Sequence, residues 1–265
     1  MAARFWGDLK TTDFAGLSAD TVAVLPLAAI EQHGPHLPVS VDTTIMNAML
    51  AEAMPLVPPA LDVLVLPTQA ICKSNEHLHS PGTLTLSWES ATNGWIEIGE
   101  SVKRAGLRKL VIVTSHGGNI DPMKVVAREL RVRHGMFAVT TAWRAFGLPP
   151  GVFADLDANH GIHGGDIETS LMLHFRPDLV EMSQAGRFEP LTVEMAADGY
   201  TWLRPTGLHA FAWMAKDVHP SGAAGDASLA TAEKGKATAA LQAKGFVELL
   251  ADVARFPLER LHKGG

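Results

Sequence analysis

The sequence predicts an α/β fold in which helices cover both faces of a mainly parallel sheet. Two observations lead to this prediction. Strand-like and helical segments alternate along the chain, and the strand-like runs are continuously apolar, as in strands that are covered on both faces. Because no linker, repeat or low-complexity tract divides this pattern, we predict that residues 1–265 form a single domain.

Four apolar runs are the predicted strands. They are TVAVLPLAAI (21–30), LDVLVLPTQA (61–70), KLVIVTS (109–115) and HGMFAVTTAW (134–143). The segments with helical periodicity are a run that opens at Asp42, residues 87–106, residues 121–135 and residues 226–256. Gly106 and Gly135 end the second and third of these helices. We expect the last helix to be interrupted near Gly235 or Gly245.

Two stretches lack these patterns. Residues 145–165 are rich in Gly, Pro and His, and we predict a loop there. Residues 183–225 show little regular pattern, and we predict an excursion of the chain that covers the ends of the sheet.

The composition excludes several function classes. The formal net charge is −6, so the chain lacks the concentrated basic surface that nucleic-acid binding requires, and no nucleic-acid partner is expected. Cys72 is the only cysteine, which rules out an intrachain disulfide and is typical of a reducing compartment. The first residues do not have the pattern of a signal peptide, and no apolar run approaches the ~20 residues of a membrane-spanning helix. We therefore expect a cytoplasmic protein without a membrane partner.

Polar segments that contain histidine follow the first three predicted strands. They are AIEQHGPHLPVSVDTTI (29–45), SNEHLHSPGT (74–83) and SHGGN (115–119). In open α/β sheets, ligands bind at the edge where the carboxyl ends of the strands lie. We therefore expect these three segments to lie together and to form one site.

Acids and histidines dominate this predicted site. Carboxylates and neutral imidazoles, without cysteine, are a ligand set for Zn, Mn or Fe, of which we expect Zn first. The residues that we predict as metal ligands are Glu31, His33, Asp42, His116 and Glu168.

Each of these residues also has a simpler explanation when it is taken alone. Glu31 could be a surface acid, and the carboxylate of Asp42 could cap the helix that follows it. Glu168 lies near a predicted helix start, where the helix dipole favours an acid. The histidines, including His36, could bond backbone carbonyls of their own loops. Their convergence at one edge of the sheet is what favours a metal site.

Two glycines and a further histidine suggest how such a site could catalyse a reaction. Gly117 and Gly118 leave backbone amides free to bind an oxyanion. A metal-activated water would be the nucleophile, and we predict that His163 carries protons between this water and the leaving group. His163 could instead be a loop histidine that only orients its neighbours.

Five blocks of the sequence occur in the order of a known family and cover most of the chain. They are LPLAAIEQHGPHLPVSVD (25–42), EHLHSPGT (76–83), TSHGGN (114–119), HGGDIETSLML (163–173) and AEKG (232–235). They resemble the creatininase family of metal-dependent amidohydrolases. The resemblance implies a three-layer α/β/α sandwich and hydrolysis of a non-peptide C–N bond in a small, often cyclic, amide. It also implies one or two divalent ions per subunit and a homo-oligomer, often a hexamer.

The resemblance also assigns roles to individual residues. The residues that match the family's metal ligands are Glu31, His33, Asp42 and His116. The acid at Asp42 bridges when two ions are bound, and His163 matches the family's proton-transfer histidine. Glu168 matches the glutamate of a later E-T-S block, and we predict that it is a metal ligand or a catalytic acid–base group. The residues predicted to contact the substrate are His36, Glu76, His77, Gly117, Gly118 and Trp143.

Two positions depart from the creatinine-hydrolysing members of the family. Those members carry a further glutamate ligand at the position of Gly118, so either Glu168 supplies the missing carboxylate or only one ion binds tightly. They also carry a tryptophan just before the histidine that His163 matches, and DANHGIH (157–163) has none. Creatinine is therefore not the predicted substrate, and Trp143 is either a pocket wall or part of the core.

Three functions remain compatible with these residues. The first is an amidohydrolase acting on a small amide, lactam or formamide, and the second is a peptidase that trims a short precursor peptide. The third is a non-catalytic metal- or ligand-binding protein of the same fold. A small closed pocket would favour the first function and an open groove the second, whereas a metal shell closed by protein ligands would favour the third.

Overall fold

A parallel sheet forms the centre of the fold. The computed structural model describes residues 4–262, so the ends of the predicted domain, 1–3 and 263–265, lie outside the described residues. The strands of the sheet are β1 (Arg4–Phe5), β2 (Val22–Leu27), β3 (Val63–Val65), β4 (Lys109–Thr114) and β5 (Phe137–Ala142). Within the described chain these five strands pair in parallel in the order β1-β3-β2-β4-β5. Two short strands, β6 (Arg187–Phe188) and β7 (Gly225–Asp226), form a separate antiparallel pair.

Helices cover both faces of this sheet. The α-helices of the described residues are α1 (Val41–Ala53), α2 (Trp88–Arg104), α3 (Ile120–His134), α4 (Asp155–Asn159), α5 (Asp166–Phe175), α6 (Leu191–Ala197), α7 (Ala215–Val218) and α8 (Ala232–Arg255), and five of them cover the sheet. Helices α1, α5 and α8 pack against one face of the sheet, and α2 and α3 pack against the other. The predicted α/β fold with helices on both faces of a parallel sheet is therefore confirmed.

The side chains of the central strands alternate between two apolar cores. In β2, Val22 and Val24 face the core shared with α1 and α8, whereas Ala23 and Leu25 face the core shared with α2 and α3. Every residue of β2 is buried. This two-sided burial explains why the sequence of the strand is continuously apolar rather than alternating.

Several short elements were not predicted from the sequence. The edge strand β1 has two residues, which is too short to show a pattern. The predicted loop 145–165 contains α4, and the predicted excursion 183–225 contains β6, α6 and α7. These elements are short because Gly and Pro interrupt the segments in which they lie.

The predicted interruption of the C-terminal helix is wrong, because α8 runs through Gly235 and Gly245 without a break. A Cβ at position 235 would lie 1.9 Å from the carbonyl oxygen of Ser170, and one at position 245 would lie 2.8 Å from Cδ1 of Phe146. The two glycines therefore permit close packing of α8 and do not end it.

No helix between residues 4 and 262 is both long enough and apolar enough to cross a membrane. This includes α8, whose 24 residues carry charged side chains near both ends and in the second half of the helix.

Candidate metal centre

The carboxyl ends of the central strands bring the three polar segments together. Glu31 and His33 follow β2, the 3-10 turn Asn75–His77 follows β3, and His116 follows β4. Glu31 is 0% exposed and His33 is 1% exposed, so these side chains lie inside the protein and not on its surface. The simpler explanation of Glu31 as a surface acid is therefore wrong.

Three buried polar atoms of this cluster have no hydrogen-bond partner within the described residues. They are Oε1 of Glu31, Nε2 of His33 and Oδ2 of Asp42. An unpaired buried polar atom costs about 1–3 kcal/mol, so three such atoms in one cluster call for an explanation. Divalent ions bound in this cluster would satisfy these atoms, because each of them offers a lone pair. The residues present therefore fit a bound metal.

The donor atoms form two overlapping groups that share Asp42. In the first group, Nδ1 of His116 lies 3.1 Å from Oε1 of Glu31 and 3.7 Å from Oδ2 of Asp42. In the second group, Nε2 of His33 lies 3.7 Å from Oδ2 of Asp42 and 3.9 Å from Oε1 of Glu168. Ligand atoms at about 2.0–2.2 Å from one ion are separated by about 3–4 Å, so each group has the dimensions of one site. These buried clusters are consistent with a binuclear metal site, and Asp42 is the residue that the two groups share.

Asp42 does not cap the helix in which it lies, so that explanation of its position is wrong. The N-cap residue of α1 is Ser40, and no side chain accepts a capping hydrogen bond there. Asp42 is the second residue of α1, and its carboxylate is turned into the cluster. The start of α1 therefore has no capping side chain, and the carboxylate of Asp42 lies among the donor atoms instead.

Hydrogen bonds orient the two histidines of the cluster. Nδ1 of His33 lies 3.1 Å from the carbonyl oxygen of Glu31, and Nε2 of His116 lies 3.0 Å from that of Lys73. A carbonyl can only accept, so each of these nitrogens donates, and in the neutral form of each ring the other nitrogen has its lone pair available for a ligand. Burial, aided by His163, also lowers the pKa of His33 well below its usual value, which keeps this ring neutral.

The acids of the cluster have strongly perturbed pKa values. Burial and the nearby Glu31 raise the pKa of Asp42 well above its usual value, and burial raises the pKa of Glu168. Burial acts on Glu31 in the same direction, but the neighbouring histidines outweigh it and hold the pKa of Glu31 well below its usual range. Burial would lower the pKa of His116, yet Glu31 and two further acids raise it well above its usual value. An ion that binds these groups must therefore displace protons.

His163 lies beside the donor atoms with one nitrogen held by the backbone. Its Nε2 is 2.6 Å from the carbonyl oxygen of Gln32, and its Nδ1 is 3.7 Å from Oε1 of Glu31. Its ring centroid lies 4.1 Å from that of His33 and 4.5 Å from that of His77. This placement suits proton transfer at Nδ1. Glu31, His33 and His163 also form a third group with metal-site spacing, so the same nitrogen is close enough to act as a ligand.

Gln32 and Ser74 were not among the predicted site residues, and their hydrogen bonds connect different segments of the site. The side-chain nitrogen of Gln32 donates to the carbonyl oxygen of Gly222 and to Nδ1 of His77, both at 2.9 Å. The hydroxyl of Ser74 donates to Oε2 of Glu31. The available signal for Gln32 was its position between two predicted ligands in the tripeptide EQH. Ser74 carried no comparable signal.

The space beside Gly118 is filled by the carboxylate of Glu76. A Cβ at position 118 would lie 2.0 Å from Oε1 of Glu76 and 2.4 Å from Nε2 of His116. Oε1 of Glu76 is 3.4 Å from that same nitrogen of His116, and Lys73 pairs with Oε2 at 2.6 Å. His116 and Lys73 lower the pKa of Glu76 to about 2, although burial would raise it. Glu76 thus contacts Nε2 of His116, the ring nitrogen that is not one of the donor atoms. The carboxylate of Glu168, in contrast, belongs to the donor group of His33 and Asp42.

A cavity of about 410 Å³ opens onto the cluster. His116, His163 and Glu168 contribute to its wall, as do Gly117 and Trp143 from the predicted substrate contacts. Trp143 is also 3% exposed and packs against an aromatic side chain of α8, so it belongs to the core as well as to the cavity wall.

The remaining predicted substrate contacts lie outside the set of residues that line this cavity. His36 is buried, and its Nε2 lies 2.9 Å from the hydroxyl of Thr169. His77, Glu76 and Gly118 surround the donor atoms without reaching the cavity wall. The geometry therefore favours supporting roles for these four residues, and their contact with a substrate stays a prediction.

Comparison with known proteins identifies what this arrangement is similar to. A sequence profile described as Creatininase: Creatinine amidohydrolase matches residues 7–250. The mycofactocin precursor peptide peptidase of Mycobacterium ulcerans (strain Agy99) is 31% identical in an alignment of 244 residues that covers 87% of this chain and 85% of that protein. The creatinine amidohydrolase of Pseudomonas putida is 32% identical in an alignment of 206 residues that covers 71% of this chain and 78% of that protein.

Solved structures show the same similarity in three dimensions. One described as "Creatininase Mn" superposes with a TM-score of 0.72 and 27% identity, covering 95% of this chain and 99% of that chain. A creatininase mutant of the "Zn-Zn type" superposes with a TM-score of 0.72 and 25% identity, covering 95% and 98% of the two chains. Manganese and zinc are thus both named for structures of this fold.

Proposed function

This chain belongs to the creatininase family, and we propose that it is a metal-dependent hydrolase that cleaves a C–N bond near the end of a short precursor peptide. The observation that carries the hydrolase function is the set of unpaired donor atoms of Glu31, His33 and Asp42, which lie beside a cavity that also contains His163. A family hydrolase with this donor set needs a divalent ion, and Zn and Mn are the ions that we propose.

Three observations support a peptide as the substrate. The relative from M. ulcerans is named as a precursor peptide peptidase, and it matches most of this chain. The cavity volume of about 410 Å³ lies within the range of about 300–1,000 Å³ that is typical of ligand pockets, so it offers more room than a small ring requires. Position 118 also lacks the glutamate that is expected for creatinine hydrolysis, and the segment before His163 lacks the expected tryptophan.

A small non-peptide amide is the second candidate substrate. It was the substrate class first expected from the sequence, and the creatinine amidohydrolase of P. putida supports it. The two candidates share the chemical step and differ in the size and the charge of the group that must fit the cavity.

Different side chains of the site would bind the metal ions and transfer a proton during hydrolysis. Glu31, His33, Asp42, His116 and Glu168 would hold the ions. A bound divalent ion supplies Lewis-acid activation of the amide carbonyl and lowers the pKa of a water molecule. Nδ1 of His163 faces the cluster while Nε2 is held by the backbone, so Nδ1 is the atom that would pass a proton to the leaving nitrogen.

Hydrolysis of a substrate panel by the zinc-loaded protein tests this proposal. Mass spectrometry would follow short peptides, a formamide, a lactam and creatinine in parallel. We expect cleavage of the peptides, no cleavage of creatinine, and loss of turnover with retained zinc in His163→Ala. Cleavage of the small amides alone would favour the second candidate. Unchanged turnover in His163→Ala would exclude its role in proton transfer.

A further inference from the structure

Two side chains of the cavity wall hold buried polar atoms that do not belong to the metal centre. Trp143 and Gln242 line the same cavity and are 3% and 2% exposed. Nε1 of Trp143 and Oε1 of Gln242 have no hydrogen-bond partner within the described residues. A buried polar atom without a partner is destabilising, and native proteins contain few of them. The wall of this cavity therefore offers polar contacts beyond those of the donor cluster.

The packing of α8 against the segment after β5 brings these two residues together. Trp143 begins the 3-10 helix Trp143–Phe146, which follows β5, and Gln242 lies in α8. The ring centroid of Trp143 lies 4.7 Å from that of Phe246. Phe246 comes four residues after Gln242, so the two side chains project from the same face of the helix. Gln242 is therefore a neighbour of Trp143 across this packing contact.

A hydrogen bond fixes which end of the Gln242 amide is left without a partner. Its Nε2 donates to the carbonyl oxygen of Gly147 at 3.0 Å. A carbonyl oxygen can only accept, so the nitrogen of the amide, and not its oxygen, must face Gly147. The unpaired atom of Gln242 is therefore a hydrogen-bond acceptor, whereas the indole N–H of Trp143 can only donate.

A donor and an acceptor in one wall select a ligand group by its hydrogen-bonding capacity. An alkyl group would leave both atoms unpaired. A carboxylate has no donor for Gln242, and an ammonium has no acceptor for Trp143. A charged group would also lose hydration against these two buried side chains. A neutral carboxamide or hydroxyl, in contrast, both accepts and donates.

We propose that Trp143 and Gln242 form a subsite for a neutral side chain of the substrate that both accepts and donates hydrogen bonds, namely a carboxamide or a hydroxyl. The oxygen of this group would accept from Nε1 of Trp143, and its N–H or O–H would donate to Oε1 of Gln242. The inference rests on the proposed hydrolase function and adds to it the chemistry of a substrate group outside the cleaved bond.

Matched small ligands test the subsite without the rest of a substrate. Butyramide and pentan-2-one differ in one group, an NH₂ in place of a methyl, so the ketone keeps the acceptor and lacks the donor. Ligand-observed NMR titration measures the affinity of each for the full-length, zinc-loaded protein, and 1-butanol is the hydroxyl probe. We expect butyramide or butanol to bind about tenfold or more tightly than pentan-2-one, because the ketone leaves Oε1 of Gln242 unpaired. The tighter of these two ligands identifies the preferred group.

Two variants separate the acceptor from the donor. Gln242→Met removes the acceptor, so the preference over pentan-2-one should disappear. Trp143→Phe removes the N–H and keeps an aromatic ring, so all three ligands should bind more weakly while the preference remains. Gln184 is an exposed glutamine that does not line the cavity, so Gln184→Met should retain the wild-type affinities.

The affinities of the wild-type protein decide the inference even if a variant fails to fold. Equal affinity for the three ligands, or binding of none, would overturn it, as would an unchanged preference in folded Gln242→Met. Hydrolysis of the substrate panel is measured separately. A preference over pentan-2-one without hydrolysis of any panel member would contradict the proposed hydrolase function alone. Hydrolysis of the peptides together with equal ligand affinities would contradict the subsite alone.

Discussion

Asp42 shows how a single buried carboxylate can connect two halves of a site. Its Oδ2 lies 3.7 Å from Nε2 of His33 and 3.7 Å from Nδ1 of His116, and it has no hydrogen bond within the described chain. A buried charge without a partner is costly, and the raised pKa of Asp42 reflects this cost. A cation bound between Asp42 and either histidine would remove the cost, and Asp42 is the residue that the two donor groups share.

Glu76 and Gly118 form a second arrangement at the scale of single residues, and it leads to a prediction. The carboxylate of Glu76 occupies the volume that a side chain at position 118 would need. Gly118→Ala should therefore displace Glu76 or His116 and weaken zinc binding by about tenfold or more, and Glu76→Ala should weaken it by about 10–100-fold. Competition with a chromogenic chelator would measure both zinc affinities.

The double variant and a neighbouring glycine provide the controls. In the Glu76→Ala background, the clash of position 118 with Glu76 is removed while the one with His116 remains, so the added effect of Gly118→Ala should shrink but not vanish. A Cβ at Gly117 would meet nothing within 4 Å, so Gly117→Ala should leave the zinc affinity unchanged. Fully additive effects of the two substitutions would show that the two residues do not act together.

At the scale of elements, the packing of α8 against α5 depends on Gly235. A Cβ at this position would lie 1.9 Å from a backbone oxygen of α5, and a backbone atom cannot turn away as a side chain can. We predict that Gly235→Ala lowers the free energy of unfolding by about 1–3 kcal/mol or more, through overpacking. Denaturant titration of the zinc-loaded protein would measure the change.

Gly94 of α2 is the matched control for this prediction. It also lies inside a helix, but an added Cβ there would meet nothing within 4 Å. Gly94→Ala should therefore stabilise the protein by up to about 1 kcal/mol, because alanine has the higher helix propensity. If both substitutions had the same effect, the close approach at Gly235 would not be the reason for the glycine.

The main elements could be predicted from the sequence because their signals are local. Buried strands such as β2 are continuously apolar, and the helices that follow them show regular periodicity. The local sequence pattern led to the wrong prediction of a helix break at Gly235. A glycine that breaks a helix cannot be distinguished from one that permits close packing unless the neighbouring element is known. It also missed β1, whose two residues pair with β3 far along the chain.

At the scale of the whole molecule, the candidate site is assembled from distant parts of the chain. The strand order explains why the predicted ligands Glu31 and His116 meet, since β2 and β4 are neighbours in the sheet. Strand order could not reveal that Gln32 bonds Gly222, which lies 190 residues later, or that Trp143 and Gln242, in one cavity wall, have polar atoms without a partner among residues 4–262. Such contacts depend on the folded loops, for which the sequence carries no periodic signal.

The central claim is that the buried cluster holds divalent ions, and the metal content per chain tests it most directly. Mass spectrometry of the protein after equilibration with zinc and gel filtration should give about two ions per chain, one for each donor group that shares Asp42. Asp42→Asn keeps the shape but removes the bridging charge, so it should reduce the content of both sites. Failure of the wild-type protein to retain zinc, or full retention by Asp42→Asn, would contradict the account.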